Sequence, residues 1–268
     1  LFFFLPASDL LKIKMQFDSL WVFAIIVIVL TLSSLFYFES KQQGRQQCNY
    51  YVIHLDRAEA RMKNILAQQK KLKRALQIVK AIDVDTIPDE FSDVETQHNV
   101  SIPTLWGSKA ELACYLSHLR LLKQKHTSKY VLVLEDDFDV SVSNFDSKVD
   151  SLLSNLERAK EEFDLLYLGN LTNYQGEPVP KNKLCTRVMK SAMPCWGSHA
   201  YVVRTESLEK ITRHLASISE SYDGKLQTLA YAGHIKSLAL KTNWVTQFGD
   251  DQSYIREVPY HLMPKYTV

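Results

Sequence analysis

Residues 130–139 read Tyr-Val-Leu-Val-Leu-Glu-Asp-Asp-Phe-Asp. The first five are a continuous apolar run, the pattern of a strand buried on both faces of a parallel sheet. The next five hold four carboxylates, Glu135, Asp136, Asp137 and Asp139. Four like charges at the end of a core strand repel one another and are costly unless a cation or a network of donors compensates. Hard divalent ions prefer such oxygen ligands, and a metal of this kind often bridges to substrate phosphates. Alternate residues of an extended chain point the same way, so Glu135 with Asp137, or Asp137 with Asp139, is the expected metal pair. Asp137 belongs to both pairs. The competing reading is a solvated acidic turn. The position directly after an apolar strand favours a site, because open α/β sheets gather ligands at the carboxyl ends of their strands.

Outward from this stretch, helical and strand patterns alternate. Strands are expected at 50–54, 75–82, 164–168 and 199–203, and helices at 58–72, 108–125, 145–162 and 206–215. In the second helix Leu112, Tyr115, Leu116, Leu119 and Leu122 recur at helical spacing. The alternation predicts an α/β fold with an open, mostly parallel sheet flanked by helices. Residues 171–194 show no periodicity and read as a long loop. This loop and its end carry Cys185 and Cys195, the expected disulfide if the domain faces an oxidising lumen and two free thiols otherwise.

Composition sets the class. The 268 residues are 46% hydrophobic and 23% charged, which excludes a disordered or collagen-like chain. Lys plus Arg number 32 against 30 Asp plus Glu, a net charge of +2 that gives no reason to expect a nucleic-acid partner. Four cysteines without a CxxC spacing argue against structural zinc. One block is exceptional. Residues 20–38 hold no charge, Pro or Gly, with Trp21 at one end and Tyr37 and Phe38 at the other. Nineteen helical residues span about 28 Å, enough to cross a bilayer core. The run is longer than the usual hydrophobic region of a cleaved signal peptide and lacks the polar face of a buried helix, so a signal anchor is favoured. Lys12 and Lys14 before it and Lys41 and Arg45 after it leave orientation undecided. The chain opens on Leu1, and Met15 is the candidate initiator. The expected organisation is a short tail (1–19), the transmembrane anchor (20–38), a Gln-rich stem (39–49) and a globular domain (50–268).

Four segments in order resemble glycosyltransferase family 25. They are Tyr51-Val-Ile-His-Leu-Asp-Arg57 with Arg61; Glu111-Leu-Ala-Cys-Tyr-Leu-Ser-His118; Val131-Leu-Val-Leu-Glu-Asp-Asp137; and Trp196-Gly-Ser-His-Ala-Tyr-Val202. Ala113 stands where Gly is usual in that family, and His54 where Asn is usual. The resemblance implies a GT-A-like fold, a UDP-sugar donor, a divalent ion (Mn2+, or Mg2+) and inversion at the anomeric carbon. It implies transfer of a hexose, galactose first, to a glycan or a hydroxylysine-type acceptor. It places His54, Asp56, Arg57, Arg61, Ser117, His118, Glu135, Asp136 and His199 around the donor. Arg57 and Arg61 suit uridine or phosphate through the planar donor fork of arginine. Asp223 sits where the family has an acidic residue after a helix, and is the expected base or sugar-hydroxyl ligand, together with Asp137 as the metal-bearing catalytic group. Asp250, Asp251 and Ser253 lie in a segment the family places near the donor phosphates. The alternatives are a protein of the same fold that binds or adheres without turnover, and a metal-dependent phosphohydrolase. An intact acidic turn argues against the first, and the three other segments against the second.

Two sequons occur, at Asn99 and Asn170. They are usable only in a lumenal domain, the expected location being the ER or Golgi, or a bacterial inner membrane for a bacterial chain. Asn170 follows a buried strand and is the poorer acceptor.

Overall fold

The computed structural model describes residues 27–31, 33, 47–102, 108–172, 174–190, 192 and 194–248. The chain divides into two units, 1–46 and 47–268. In the first, residues 27–31 and 33 are helical and exposed. The rest of the expected span, with the tail and most of the stem, lies outside the described residues. Among the described residues no helix is long and apolar enough to cross a membrane.

In the second unit the order is β1 (Cys48–His54), α1 (Glu59–Gln69), β2 (Leu76–Lys80), α2 (Phe91–His98), α3 (Lys109–Leu122), β3 (Tyr130–Glu135), β4 (Phe138–Val140), α4 (Phe145–Arg158), β5 (Leu165–Tyr167), β6 (Glu177–Val179), β7 (Asn182–Arg187), β8 (Ala200–Arg204), α5 (Leu208–Leu215), α6 (Tyr222–Tyr231), β9 (Ser237–Leu240) and β10 (Val245–Gln247). Eight strands form one sheet in the order β2-β1-β3-β8-β5-β9-β7-β6, and β10 pairs with β4 in a separate ribbon. β1 is parallel to β2 and β3, and β5 to β9. β8 runs antiparallel between β3 and β5, and β7 antiparallel between β9 and β6. The sheet is therefore mixed, with most strands pointing one way.

β3 is the centre of this arrangement. Val131 and Val133 enter one apolar cluster, with Leu112, Leu116 and Leu119 of α3, Ile211 of α5 and Leu226 of α6. Tyr130, Leu132 and Leu134 enter the other, with Ile65 of α1 and Val149, Leu152, Leu153 and Leu156 of α4. Alternation along one strand thus feeds two layers, the physical reason the run carries no polar position. α3 starts at Ser108, whose hydroxyl accepts from Glu111 N at 3.2 Å.

Three expectations need correction. The aperiodic stretch 171–194 is not all loop: it holds the β6–β7 hairpin, which extends the sheet to its far edge. Its strands are three and six residues long and half exposed, too short to show a period. The strand near 199–203 is antiparallel to both of its neighbours, a departure from a purely parallel order. Cys185 and Cys195 are both free and buried. They belong to clusters on opposite faces of the sheet, so no bridge joins them.

Candidate active site at the carboxyl ends of β1 and β3

From β1 the chain moves outward to β2 on one side and to β3 on the other, so the gap beyond their carboxyl ends is a topological switch point, where open sheets bind ligands. A cleft of about 580 Å³, open mouth included, lies there. Arg57, Arg61, Ser117, His118, Glu135 and Asp136 line it, and Ile53, Ala81, Ile82, Ala113 and Cys114 give it an apolar wall.

The acidic turn is partitioned residue by residue. Asp136 is buried and spoken for: its carboxylate accepts from His54 Nδ1 at 3.0 Å, Leu55 N at 3.2 Å and Arg61 at 2.5 Å. Arg61 also stands 3.4 Å from Asp137. The Arg61 guanidinium, expected at the donor phosphate, is thus the cation that lets two carboxylates sit at a strand end. α1 secures the turn further. Asn64 Nδ2 donates to the Phe138 carbonyl at 2.9 Å, and Gln68 accepts from Val140 N at 3.1 Å.

Asp139 faces the other way. Its Oδ1 accepts from Gln68 Nε2 at 2.7 Å and Lys71 Nζ at 2.8 Å, and the Lys71 contact holds its carboxyl below the usual range. The expected pairing of Asp137 with Asp139 on one ion is therefore not formed, because β4 turns Asp139 toward α1, and the pairing of Glu135 with Asp137 is the one left. Among the described residues no three His, Cys, Asp or Glu side chains converge as metal ligands.

Glu135 accepts from Ser198 Oγ at 2.7 Å and lies 3.4 Å from His118 Nε2. Burial pushes its carboxyl up, but the His118 imidazole, Ser198 and the His199 ring outweigh burial and hold it at about 2. Asp137 is the opposite case. Burial first, then the Glu135 charge, raise its carboxyl to about 7 against the pull of Arg61. Its Oδ1 is buried with no hydrogen-bond partner. A buried carboxylate oxygen left open beside an ionised neighbour suits a hard cation completed by phosphate and water oxygens. Asp137 fits a divalent ion as one carboxylate ligand, without a protein cage.

Behind Glu135 lies a buried polar chain that the sequence reading did not assign. His118 Nδ1 meets Tyr201 Oη at 2.9 Å, Tyr201 Oη meets Tyr222 Oη at 2.8 Å, and the His118 ring stacks on Tyr222 at 4.2 Å. Tyr201 stood in a quoted motif, but its partner Tyr222 is 21 residues away, and no local pattern announces that pairing.

The remaining expected residues separate. Ser117 accepts from Ile82 N and donates to the Ala113 carbonyl, both at 2.7 Å, and so pins α3 to the end of β2 while lining the cleft. Arg57 is exposed at the mouth, paired with Asp83 at 3.0 Å. Asp56 is outside the cleft, exposed and bound to Lys80 at 2.6 Å, because the turn after β1 points it outward. His199 is also off the cleft lining: it is buried, its Nε2 is 3.3 Å from the Val245 carbonyl, and burial lowers its pKa. Asp223, in the first turn of α6, accepts from Ser221 Oγ at 2.7 Å, Gly224 N at 3.0 Å and Gly197 N at 3.3 Å. Gly197 precedes Ser198, so Asp223 is tied through two residues to Glu135. Asp250, Asp251 and Ser253 lie outside the described residues.

Asn170 is buried, and its side chain donates to Asn243 Oδ1 at 3.1 Å and accepts from Tyr174 N at 2.8 Å, so it is closed to modification in the folded chain. Asn99 is exposed, in a left-handed conformation at the end of α2.

Comparison with the curated proteins finds no significant match. Among solved structures the chain is similar to mouse xyloside xylosyltransferase 1 in its apo form, at 10% identity and a TM-score of 0.35, over 74% of this chain and 71% of that one. The sequence model of "glycosyltransferase family 25 (LPS biosynthesis protein)" matches residues 47–225, from the start of β1 into α6 and across every segment that builds the cleft. The chain belongs to glycosyltransferase family 25 and is a glycosyltransferase.

Proposed function

We propose that the domain is an inverting hexosyltransferase of GT-A type that takes a UDP-sugar, galactose first, and transfers the sugar to a hydroxyl of a glycan or of a hydroxylysine-type acceptor. The observation that carries this reading is the cleft itself. An apolar wall suits a base, Arg57 at the mouth suits phosphate, and Glu135 and Asp136 of the acidic turn line the cleft, with the open, buried oxygen of Asp137 on the next residue of that turn. The order β2-β1-β3-β8, with the acidic turn following β3, supports the GT-A reading.

Asp137 is the residue that would hold a divalent ion. Such an ion, when bound, offsets the negative charge of the departing diphosphate. Arg61, fixed between Asp136 and Asp137, ties the two carboxylates to one cation within the turn. Ser198 and His118 orient Glu135, so this acid of the cleft lining is held in one geometry. In the transfer, the acceptor oxygen bonds to the anomeric carbon as the bond to the diphosphate oxygen breaks. The hydroxyl proton passes to a carboxylate, for which Asp223 is the proposed base. Asp223 is held for this by the amino end of α6 and by Gly197. We also read residues 20–38 as a signal anchor and the domain as lumenal, with Asn99 the usable sequon.

The test is a panel of nucleotide sugars assayed for transfer and for slow donor hydrolysis by the full chain. UDP-hexoses are expected to be consumed, with Asp223→Asn losing roughly a hundredfold in transfer. Consumption of no UDP-sugar, or an Asp223→Asn enzyme as fast as the parent, contradicts the respective assignment.

A further inference from the structure

The donor cleft ends at Glu135 and His118, and none of its lining comes from the loop before β8. That loop nevertheless reaches the same carboxylate, through Ser198 Oγ on Glu135 at 2.7 Å. Two residues earlier stands Trp196, with 39% of its surface exposed. An indole this open is unusual beside a buried polar centre, since tryptophan is mostly covered in folded proteins.

Its backbone, by contrast, is held on both sides. The Trp196 carbonyl accepts from Leu171 N at 2.8 Å. The next amide, Gly197 N, donates to Asp223 at 3.3 Å, and Gly197 takes a φ of +102° that side-chain-bearing residues rarely adopt. Leu171, itself 46% exposed, packs against this glycine. The result is two exposed apolar side chains, Trp196 and Leu171, on segments joined backbone to backbone, with the amide that follows Trp196 bonded to the Asp223 carboxylate.

We propose that Trp196, with Leu171 beside it, is the platform of an acceptor subsite that takes a pyranose ring, separate from the donor cleft. The proposal rests on the glycosyltransferase reading of the site and names what occupies its second half. A pyranose has an apolar face of C–H groups and a rim of hydroxyls. An aromatic face with a carboxylate bonded to the next amide matches both, the ring packing on the indole and a hydroxyl reaching Asp223. The loop that carries Trp196 is bonded to Glu135 through Ser198 and to Asp223 through Gly197, so an acceptor on the platform rests on the segment tied to both carboxylates. Exposure and rigidity have one explanation here: a platform has to be open to its ligand and preorganised for it.

The test uses the full chain and ligand-observed saturation-transfer NMR. The probes are methyl β-glycosides of galactose, glucose, xylose and N-acetylglucosamine, each with UDP present. At least one glycoside is expected to receive saturation on its ring C–H protons. Trp196→Ala is expected to weaken that binding roughly tenfold, and Trp196→Phe to keep most of it. UDP affinity and the thermal midpoint, measured on the same samples, are expected to stay at parent values. Glycoside binding unchanged in Trp196→Ala overturns the proposal. So does UDP binding with no glycoside bound at all. Failure of the parent chain to bind UDP overturns the donor reading beneath it, and the two failures are separated by that one measurement.

Discussion

At the scale of single residues, the acidic turn divides its labour by what each carboxylate touches. Asp136 is structural: three donors converge on it in the interior. Asp136→Ala takes the shared acceptor from His54, Leu55 N and Arg61, the last keeping Asp137 at 3.4 Å, and a loss of about 3 kcal/mol is expected in urea unfolding. Asp137, the residue proposed to hold the ion, sits in the turn at a cost to the fold, since burial and the Glu135 charge oppose its ionisation. Asp137→Asn is expected to cut transfer roughly a hundredfold or more. Its thermal midpoint is expected to stay at or above that of the parent, since a repulsive charge is gone. A fall in both activity and midpoint contradicts this division. The acidic turn at the end of β3 was legible in the sequence, because four carboxylates follow directly on an apolar strand. The sorting of its carboxylates was not, because Asp139 is claimed by Gln68 and Lys71, some 70 residues earlier in the chain. Trp196 was quoted for its motif alone, since exposure is a property of the folded surface.

Among elements, β1, β8 and the helices α1, α3, α4 and α5 around β3 were readable from apolar runs and helical spacing, whereas α6, which packs on the same cluster, was not expected. The direction of β8 was not readable either, since a strand buried on both faces reads alike either way. Two joints between elements are testable. Asp164, just before β5, accepts from Ser207 Oγ at 2.6 Å, Lys210 Nζ at 2.5 Å and Lys236 N at 2.7 Å. Burial opposes its ionisation, but the Lys210 and Ser207 bonds outweigh it and hold its pKa down. A lowered carboxyl adds stability above its unfolded pKa and loses it as pH falls through the folded value. The parent is thus expected to weaken as pH drops below about 4, while Asp164→Asn starts about 2 kcal/mol lower at pH 7 and shows a flatter acid limb. Denaturant titrations at several pH values give both. The second joint is Gly169, after β5. A Cβ there would press into the Val245 carbonyl and lie 2.5 Å from His199 Nε2. Gly169→Ala is expected to cost about 1–3 kcal/mol, read as a lower urea midpoint, by pushing β10 away from the sheet.

For the molecule as a whole, the described residues between 47 and 248 form two apolar clusters, one on either side of one sheet. A fragment beginning at Gln47 is expected to unfold in one cooperative step and to match the full chain in ligand affinity, as circular dichroism and calorimetry would show. The fold class was legible from alternating patterns, whereas the far edge of the sheet, built from a short and half-exposed hairpin, carried no such signal. The central claim is that the switch point between β1 and β3 is a donor site completed by an ion on Asp137. The most direct measurement is calorimetric titration of the chain with UDP, with and without Mn2+, beside Asp137→Ala. Binding that requires Mn2+ and disappears in Asp137→Ala is the predicted result. A folded chain that ignores UDP in the presence of Mn2+, or an Asp137→Ala variant that binds it as the parent does, contradicts the claim.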